Sequence, residues 1–111
     1  MPSASTKPDS LALLSGLARA FEFRSNALSL TRDFFRSQDF IEVETPIAIR
    51  APAAEEYIEA PQTKDGLFLR SSPELEMKRL LAAGMKRIYE LSPCFRLGEN
   101  GRLHRQEFTM L

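Results

Sequence analysis

The residues best suited to chemistry lie in a polar segment that runs from Arg96 to Arg105. This segment holds three arginines, at positions 96, 102 and 105, and the single histidine of the chain, His104. Guanidinium groups present planar donors that match phosphate oxygens two at a time, and the nearby ring of Phe108 offers a flat apolar face. Charge for phosphates beside a ring for a base suits a nucleotide. The alternative is a solvated hairpin tip, with His104 a structural or exposed side chain.

Two strands are expected to position this segment. Residues 87–96 and 107–111 are rich in apolar residues, and the polar connection between them, with two glycines, predicts an antiparallel hairpin with an unusually long tip. Because side chains alternate along a strand, one face of the first strand carries Glu90, Ser92, Cys94 and Arg96. We therefore expect a charged pair, Glu90 with Arg96, on the face that leads into the loop. Cys94 is expected to pack inside the strand rather than to act as a nucleophile.

The preceding elements are predicted from periodicity and turn residues. Apolar residues at helical spacing predict one long helix or two short ones from about residue 10 to Gln38, with a break in residues 20–26 and Asp9 or Ser10 as the N-cap. Residues 40–46 alternate apolar and acidic side chains, which predicts a strand with one buried face, and residues 47–56 are predicted to be a loop. Two short strands, residues 57–60 and 67–69, should flank a turn at residues 62–66. A further helix should begin after a Ser72 cap, with Pro73 at its first position, and should end at Gly84. Its apolar stripe should consist of Leu75, Leu80 and Leu81.

Composition bounds the class of protein. The chain has 111 residues, of which 43% are hydrophobic and 27% charged, so it can form one globular domain or a piece of a larger one. Fifteen basic and fifteen acidic residues cancel, which argues against a strong net attraction to nucleic acid or membrane. A single cysteine excludes an internal disulfide, and no apolar run approaches a membrane span. We expect a cytoplasmic protein in which residues 1–9 are a flexible leader.

Three ordered motifs resemble a known family. Phe95-Arg96, a glycine-bearing loop and then the run from His104 to Leu111 resemble motif 2 of the class II aminoacyl-tRNA synthetases. Phe34-Phe35 followed by residues 40–46 resembles motif 1. Between them, Ser72-Pro73-Glu74-Leu75 and residues 77–84 resemble the lysyl branch, and within it the paralogue that modifies elongation factor P, the elongation factor P β-lysine ligase. The resemblance implies an α+β fold, a partial class II synthetase antiparallel sheet flanked by helices, with residues 10–111 the N-terminal part of the catalytic domain.

The resemblance also implies an ATP site. Arg96 would be the catalytic residue that clamps the α-phosphate, Phe108 would stack on adenine, and Arg102 and His104 would lie near the β- and γ-phosphates. Leu97 and Gly98 would line the site, although the family usually has Asn-Glu there. Glu99 would then replace the carboxylate that Gly98 lacks through a shifted loop. Arg105 stands where the family has an asparagine, so only a backbone contact to the nucleotide would survive.

The same resemblance implies an amino-acid pocket and a dimer. Ser72, Pro73 and Glu74 would form the floor of the pocket, with Glu74 pairing to the α-ammonium of the substrate; the plain alternative is an acid favoured by the helix dipole. Pro46 would lie in a two-fold homodimer interface. The implied reaction is the activation of lysine or β-lysine by ATP, with Mg²⁺ bridging the phosphates, and no side chain acts as a nucleophile.

The acceptor and the extent of the chain remain open. Motif 1 begins too early for a preceding anticodon-binding OB-fold, which favours elongation factor P as the acceptor over tRNA-Lys if Met1 is the native start. Motif 3 is absent, so we expect the chain to be a partial catalytic domain without adenylation activity of its own. Alternatives are a lysyl-tRNA synthetase fragment with the OB-fold encoded upstream, and a non-catalytic dimerisation module. Gly98 and Arg105 are the best support for the last of these.

Overall fold

The computed structural model describes residues 8–52, 59–98 and 101–111. It divides the chain into two compact units, residues 1–38 and residues 39–111. In the described residues the elements follow the order α1 (Pro8–Ser37), β1 (Ile41–Glu42), β2 (Ala48–Ile49), β3 (Phe68–Leu69), α2 (Glu74–Ala82), β4 (Ile88–Tyr89), β5 (Ser92–Phe95) and β6 (Glu107–Met110). The α+β class is therefore confirmed. No helix in these ranges has the length and apolar character that crossing a bilayer requires.

The described residues of the first unit form one continuous helix, α1, so the alternative of a single long helix is confirmed and the break in residues 20–26 is wrong. That stretch contains neither proline nor glycine, and nothing in it interrupts the backbone hydrogen bonds. The helix begins at Pro8, inside the predicted leader, which places Asp9 and Ser10 in the first turn instead of at the cap. It ends where Asp39 adopts a left-handed φ of 60°, and the Ser37 hydroxyl donates to the Phe34 carbonyl at 2.6 Å. Residues 1–7 of the leader lie outside the described residues.

The second unit contains three separate two-stranded ladders in place of the expected antiparallel sheet. β2 pairs with β3 and β5 pairs with β6 in antiparallel register, whereas β1 pairs with β4 in parallel. A parallel pair needs a long crossover connection, and here that connection contains α2. The prediction of a purely antiparallel sheet was wrong at this ladder because local alternation does not specify the direction of a distant partner.

Other strand predictions need similar correction. β1 is shorter than the predicted residues 40–46 and has no buried face, since Ile41 is 58% exposed. The predicted loop at residues 47–56 contains β2, and its residues 53–56 lie outside the described part of the chain. Part of the predicted strand at residues 57–60 also lies outside it, and Glu59 forms only an isolated bridge with Leu97. The predicted turn before β3 is confirmed: the Gly66 N–H donates to the Thr63 carbonyl at 3.1 Å, with the φ of Gly66 at 83°.

Helix α2 lies close to its predicted position. It begins at Glu74, one residue later than expected, so that Pro73 takes the N-cap position. The Ser72 hydroxyl is not the cap, although it accepts a long hydrogen bond of 3.4 Å from the Glu74 N–H. The helix ends at Ala82, and Gly84 follows with a φ of 108°, where the Gly84 N–H donates to the Leu81 carbonyl and the Met85 N–H to the Leu80 carbonyl. These two bonds form a Schellman motif. The expected apolar stripe is only partly covered, because Leu75 and Leu81 are about half exposed.

The buried interior of the described residues is more polar than apolar. Its buried hydrophobic side chains are Tyr89 and Cys94, whereas four polar or charged residues are buried: Arg70, Ser71, Glu90 and Ser92. The segments that meet around these residues are the end of β3, the link between β4 and β5, and β5 itself. Arg70 and Glu90 are paired with each other, whereas the Ser92 hydroxyl has no hydrogen-bond partner, and an unpaired buried polar group costs about 1–3 kcal/mol.

Candidate functional site

The β5–β6 hairpin positions the candidate site. Cys94 lies opposite Phe108 and Ser92 opposite Met110, and directly opposed residues share a face of the ladder. The ladder continues one residue past β5, because the Arg96 N–H donates to the Gln106 carbonyl at 2.8 Å. Arg96 therefore lies on the same face as Phe108, displaced diagonally by one step along the hairpin.

Arg96 and Phe108 are in direct contact. The central carbon of the guanidinium lies 5.0 Å from the centroid of the Phe108 ring, within the range of a cation–π interaction. One terminal nitrogen of Arg96 is 3.5 Å from the carbonyl of Ser71, at the long limit of a hydrogen bond. The Nε of Arg96 is buried and has no hydrogen-bond partner. The guanidinium and the ring are therefore neighbours on one face of the hairpin, and the buried Nε lacks an acceptor.

The tip of the hairpin completes a small cavity. A pair of backbone hydrogen bonds between Gly101 and His104, at 3.0 and 3.4 Å, closes a turn. The following residues return to β6 and enclose about 180 Å³ with the hairpin, the lining residues being Arg96, Leu103, His104, Arg105 and Phe108. This volume lies below the roughly 300–1,000 Å³ of whole small-molecule sites. The cavity is therefore too small to hold a whole nucleotide.

The structure brings together four of the predicted ATP-site residues, Arg96, His104, Arg105 and Phe108. Arg102 is exposed, and neither it nor Leu97 nor Gly98 lines the cavity. Glu99 lies outside the described residues. Sequence reasoning missed Leu103, which lines the cavity although it is 88% exposed. The available signal was that Leu103 is an apolar side chain between the polar residues Arg102 and His104. Whether any of these residues contacts ATP stays a prediction.

Gly98 has a conformational reason to be glycine. Its φ is 76°, in the left-handed region that side chains with a β-carbon rarely adopt, and no described atom lies within 4 Å of where that carbon would be. Strain in the backbone, and not lack of space, thus disfavours a glutamate at position 98. This turn explains locally why the carboxylate expected from the family pattern is missing there.

The predicted charged pair of Glu90 with Arg96 was wrong. Glu90 pairs with Arg70 instead, at 3.0 Å between Oε1 and a terminal guanidinium nitrogen, and both side chains are 2% exposed. Strand alternation identified the face of Glu90 correctly but could not reveal Arg70, which comes from the end of β3. Burial is the largest influence on the neighbouring Cys94 and raises the pKa of its thiol, against the opposing effect of Arg70 and Arg96.

The predicted amino-acid pocket begins next to Arg96. Ser71, whose carbonyl faces the Arg96 guanidinium, directly precedes Ser72, Pro73 and Glu74. The carboxylate of Glu74 is exposed and pairs with Lys78 at 2.8 Å, and this partner holds the pKa of Glu74 below its usual range. Glu74 is therefore a carboxylate that can receive an ammonium group, in competition with Lys78. Its contact with an amino acid stays a prediction.

Metal and dimer predictions have less structural support. Among the described residues no three His, Cys, Asp or Glu side chains converge as metal ligands, so these residues do not by themselves fit a magnesium site. Pro46 lies beside a second cavity of about 290 Å³ between β2 and α2, and its carbonyl accepts from Arg70 at 3.4 Å. Neither observation bears on a dimer, so the role of Pro46 in an interface stays a prediction.

Comparison with known proteins supports the family that the sequence motifs indicate. The family profile for class II tRNA synthetases (D, K and N) matches residues 12–111. Similar curated proteins include elongation factor P–(R)-β-lysine ligases of Photobacterium profundum, 40% identical over 79% of this chain, and Photorhabdus laumondii, 43% identical over 79%. The chain spans 30% of the length of each. A lysine–tRNA ligase of Dichelobacter nodosus is 41% identical over 82% of the chain, which spans 19% of that protein. With a profile match over nearly its whole length, the chain belongs to the class II tRNA synthetases of the D, K and N group.

Proposed function

We propose that this chain contributes the α-phosphate and adenine contacts of an ATP-dependent aminoacyl ligase that activates lysine or β-lysine and transfers it to elongation factor P. The observation that carries the proposal is the contact of Arg96 with Phe108 on one face of the hairpin. A cation that can pair with a phosphate and a ring that can stack on a base are adjacent there, which supports the binding of one nucleotide by both. The similarity to elongation factor P–(R)-β-lysine ligases supports the choice of amino acid and acceptor.

The proposed reaction has two steps. A carboxylate oxygen of the amino acid bonds to the α-phosphorus of ATP while the bond to pyrophosphate breaks, which leaves an aminoacyl-adenylate. An amine of the acceptor protein then attacks the acyl carbon and AMP leaves. Arg96 neutralises charge that develops on the α-phosphate, and its contact with Phe108 holds the guanidinium in place before the nucleotide binds.

A nucleotide titration tests the Arg96 assignment. We expect Arg96→Ala to weaken ATP binding by at least tenfold, since a hydrogen bond to a charged group contributes about 1.5–3 kcal/mol. The matched control is Arg36→Ala, which removes an exposed arginine in α1 and should leave affinity unchanged. Adenosine, which has no phosphate, should bind Arg96→Ala and wild type equally, and Phe108→Ala should weaken both ligands. Equal ATP affinity of Arg96→Ala and wild type would remove Arg96 from the site.

One observation favours a second candidate, a ligase that charges tRNA with lysine. The Dichelobacter nodosus lysine–tRNA ligase is as similar to this chain as the elongation factor P ligases are. The two candidates are distinguished by supplying ATP and radiolabelled lysine or β-lysine to the protein purified from its own cells, with either elongation factor P or tRNA as acceptor. Label on tRNA alone would select the second candidate.

A further inference from the structure

A buried ionic cluster lies directly behind the candidate site. Arg70 and Glu90 form its ion pair, and Thr45 lies between them. Replacing a buried ion pair by apolar residues of similar volume is often neutral for stability, so packing alone does not explain the presence of a charged pair here. Directional hydrogen bonds, by contrast, fix relative positions in a way that apolar contacts do not.

The hydrogen bonds of the cluster tie together distant segments. Arg70 donates to the carbonyl of Pro93 at 3.0 Å, to the carbonyl of Thr45 at 2.9 Å and to the Thr45 hydroxyl at 2.7 Å. Glu90 accepts from the Thr45 N–H at 3.1 Å and from the Thr45 hydroxyl at 2.9 Å. One guanidinium and one carboxylate thereby join the segment after β1, the end of β3 and strand β5.

The same stretch of backbone contacts the candidate site. The carbonyl of Arg70 accepts a hydrogen bond of 2.8 Å from the N–H of Phe95, the residue before Arg96. The carbonyl of Ser71 faces the guanidinium of Arg96. Ser72, next in the chain, begins the predicted amino-acid pocket. The side chain of Arg70 therefore lies where strand β5, which leads into Arg96, meets the turn at residues 71–74.

We propose that Arg70 and Glu90 are positioning residues, which hold Arg96 and the turn at residues 71–74 at a fixed separation so that amino acid and nucleotide meet. This inference rests on the proposed function. Neither residue lines the cavity, so both act through Arg96. The buried and unpartnered Nε of Arg96 is held in place by its surroundings, and the cluster is the part of those surroundings that fixes residues 70, 71 and 95.

The test removes the charges but keeps the volume. In the double variant Arg70→Met with Glu90→Gln, the amide at position 90 can still accept from the Thr45 N–H and donate to its hydroxyl, and no unpaired charge is left buried. The matched control is Arg36→Met with Asp33→Asn, which neutralises an exposed pair at 4.0 Å in α1. Three quantities are measured for each protein: the urea midpoint, the ATP affinity and the hydrogen-exchange rate of the Arg96 Nε–H by NMR.

We expect the double variant to unfold at a lower urea midpoint, because the carbonyls of Thr45 and Pro93 lose their donor. The folded double variant should bind ATP at least fivefold more weakly and exchange its Arg96 Nε–H at least tenfold faster. The control should match wild type in all three. Arg70→Lys, which keeps the charge but not the fork of donors, should restore part of the affinity. Native affinity and native exchange in the folded double variant would overturn the proposal.

Two further outcomes are also decisive. If the double variant does not fold, Glu90→Gln alone, which keeps the hydrogen bonds to Thr45, must show the faster Arg96 exchange, and unchanged exchange overturns the inference. If wild type itself binds no ATP, the proposed function fails. The exchange rate of Arg96 in the double variant then decides the positioning role independently.

Discussion

Two arginines of the second unit, Arg70 and Arg96, have different contacts because their surroundings differ. Arg70 is buried and donates to three backbone carbonyls, a hydroxyl and a carboxylate. Arg96 lies over an aromatic ring, and its Nε is one of two buried side-chain polar atoms in the described residues without a partner. Arg70 is therefore held in the fold by its hydrogen bonds, whereas Arg96 is partly exposed and lines the cavity beside Phe108.

Cys94 gives a residue-scale prediction on pH. Burial raises the pKa of its thiol, and an unfolded cysteine titrates near about pH 8.5. The neutral thiol thus contributes stability that is fully present below the unfolded pKa and is lost as pH rises through the folded pKa. The difference in unfolding free energy between wild type and Cys94→Ala should be largest near about pH 7 and shrink toward about pH 10. Urea unfolding with a reductant present measures it, and a difference that stays constant over this range would contradict the burial argument.

At the scale of elements, local signals specified helices and turns but not the partners of strands. Pro73 and Gly84 bracket α2 to within a residue or two of the prediction, since each acts through its own backbone geometry. The hairpin of β5 and β6 was also predictable, because its strands are neighbours in sequence. The parallel pairing of β1 with β4 and the ion pair of Arg70 with Glu90 join distant segments. No periodicity within one segment carries that information.

Replacing one glycine at each of the two helices by alanine should change stability in opposite directions. Gly84 adopts a φ of 108° at the end of α2, so Gly84→Ala should lower the unfolding free energy by about 1–2 kcal/mol. Gly16 lies inside α1 with open space around its Cα, so Gly16→Ala should raise helix stability by about 0.5–1 kcal/mol. Urea unfolding monitored at the helical circular dichroism band measures both. Two changes of the same sign would show that φ does not control the effect.

At the scale of the whole molecule, the described residues cover their apolar surface incompletely. Large apolar side chains along α1 are more than half exposed, among them Leu13 at 73% and Phe23 at 76%. The chain spans only 19–30% of the length of the curated relatives described above, and the cavity beside Phe108 is smaller than a typical ligand site. The chain belongs to the class II tRNA synthetase family, but family membership does not establish that these 111 residues catalyse the reaction.

Pyrophosphate exchange tests whether these 111 residues catalyse adenylation by themselves. Adenylation needs both substrates held in attack geometry, and effective positioning of this kind supplies about 7–11 kcal/mol of the barrier reduction. In the described residues the candidate site is a small cavity beside the Arg96–Phe108 contact, and the Glu74 carboxylate is already paired with Lys78. We expect the isolated chain to bind ATP weakly and to catalyse no lysine-dependent exchange of labelled pyrophosphate into ATP. Exchange above that of the Arg96→Ala chain would show that these residues alone assemble a working site.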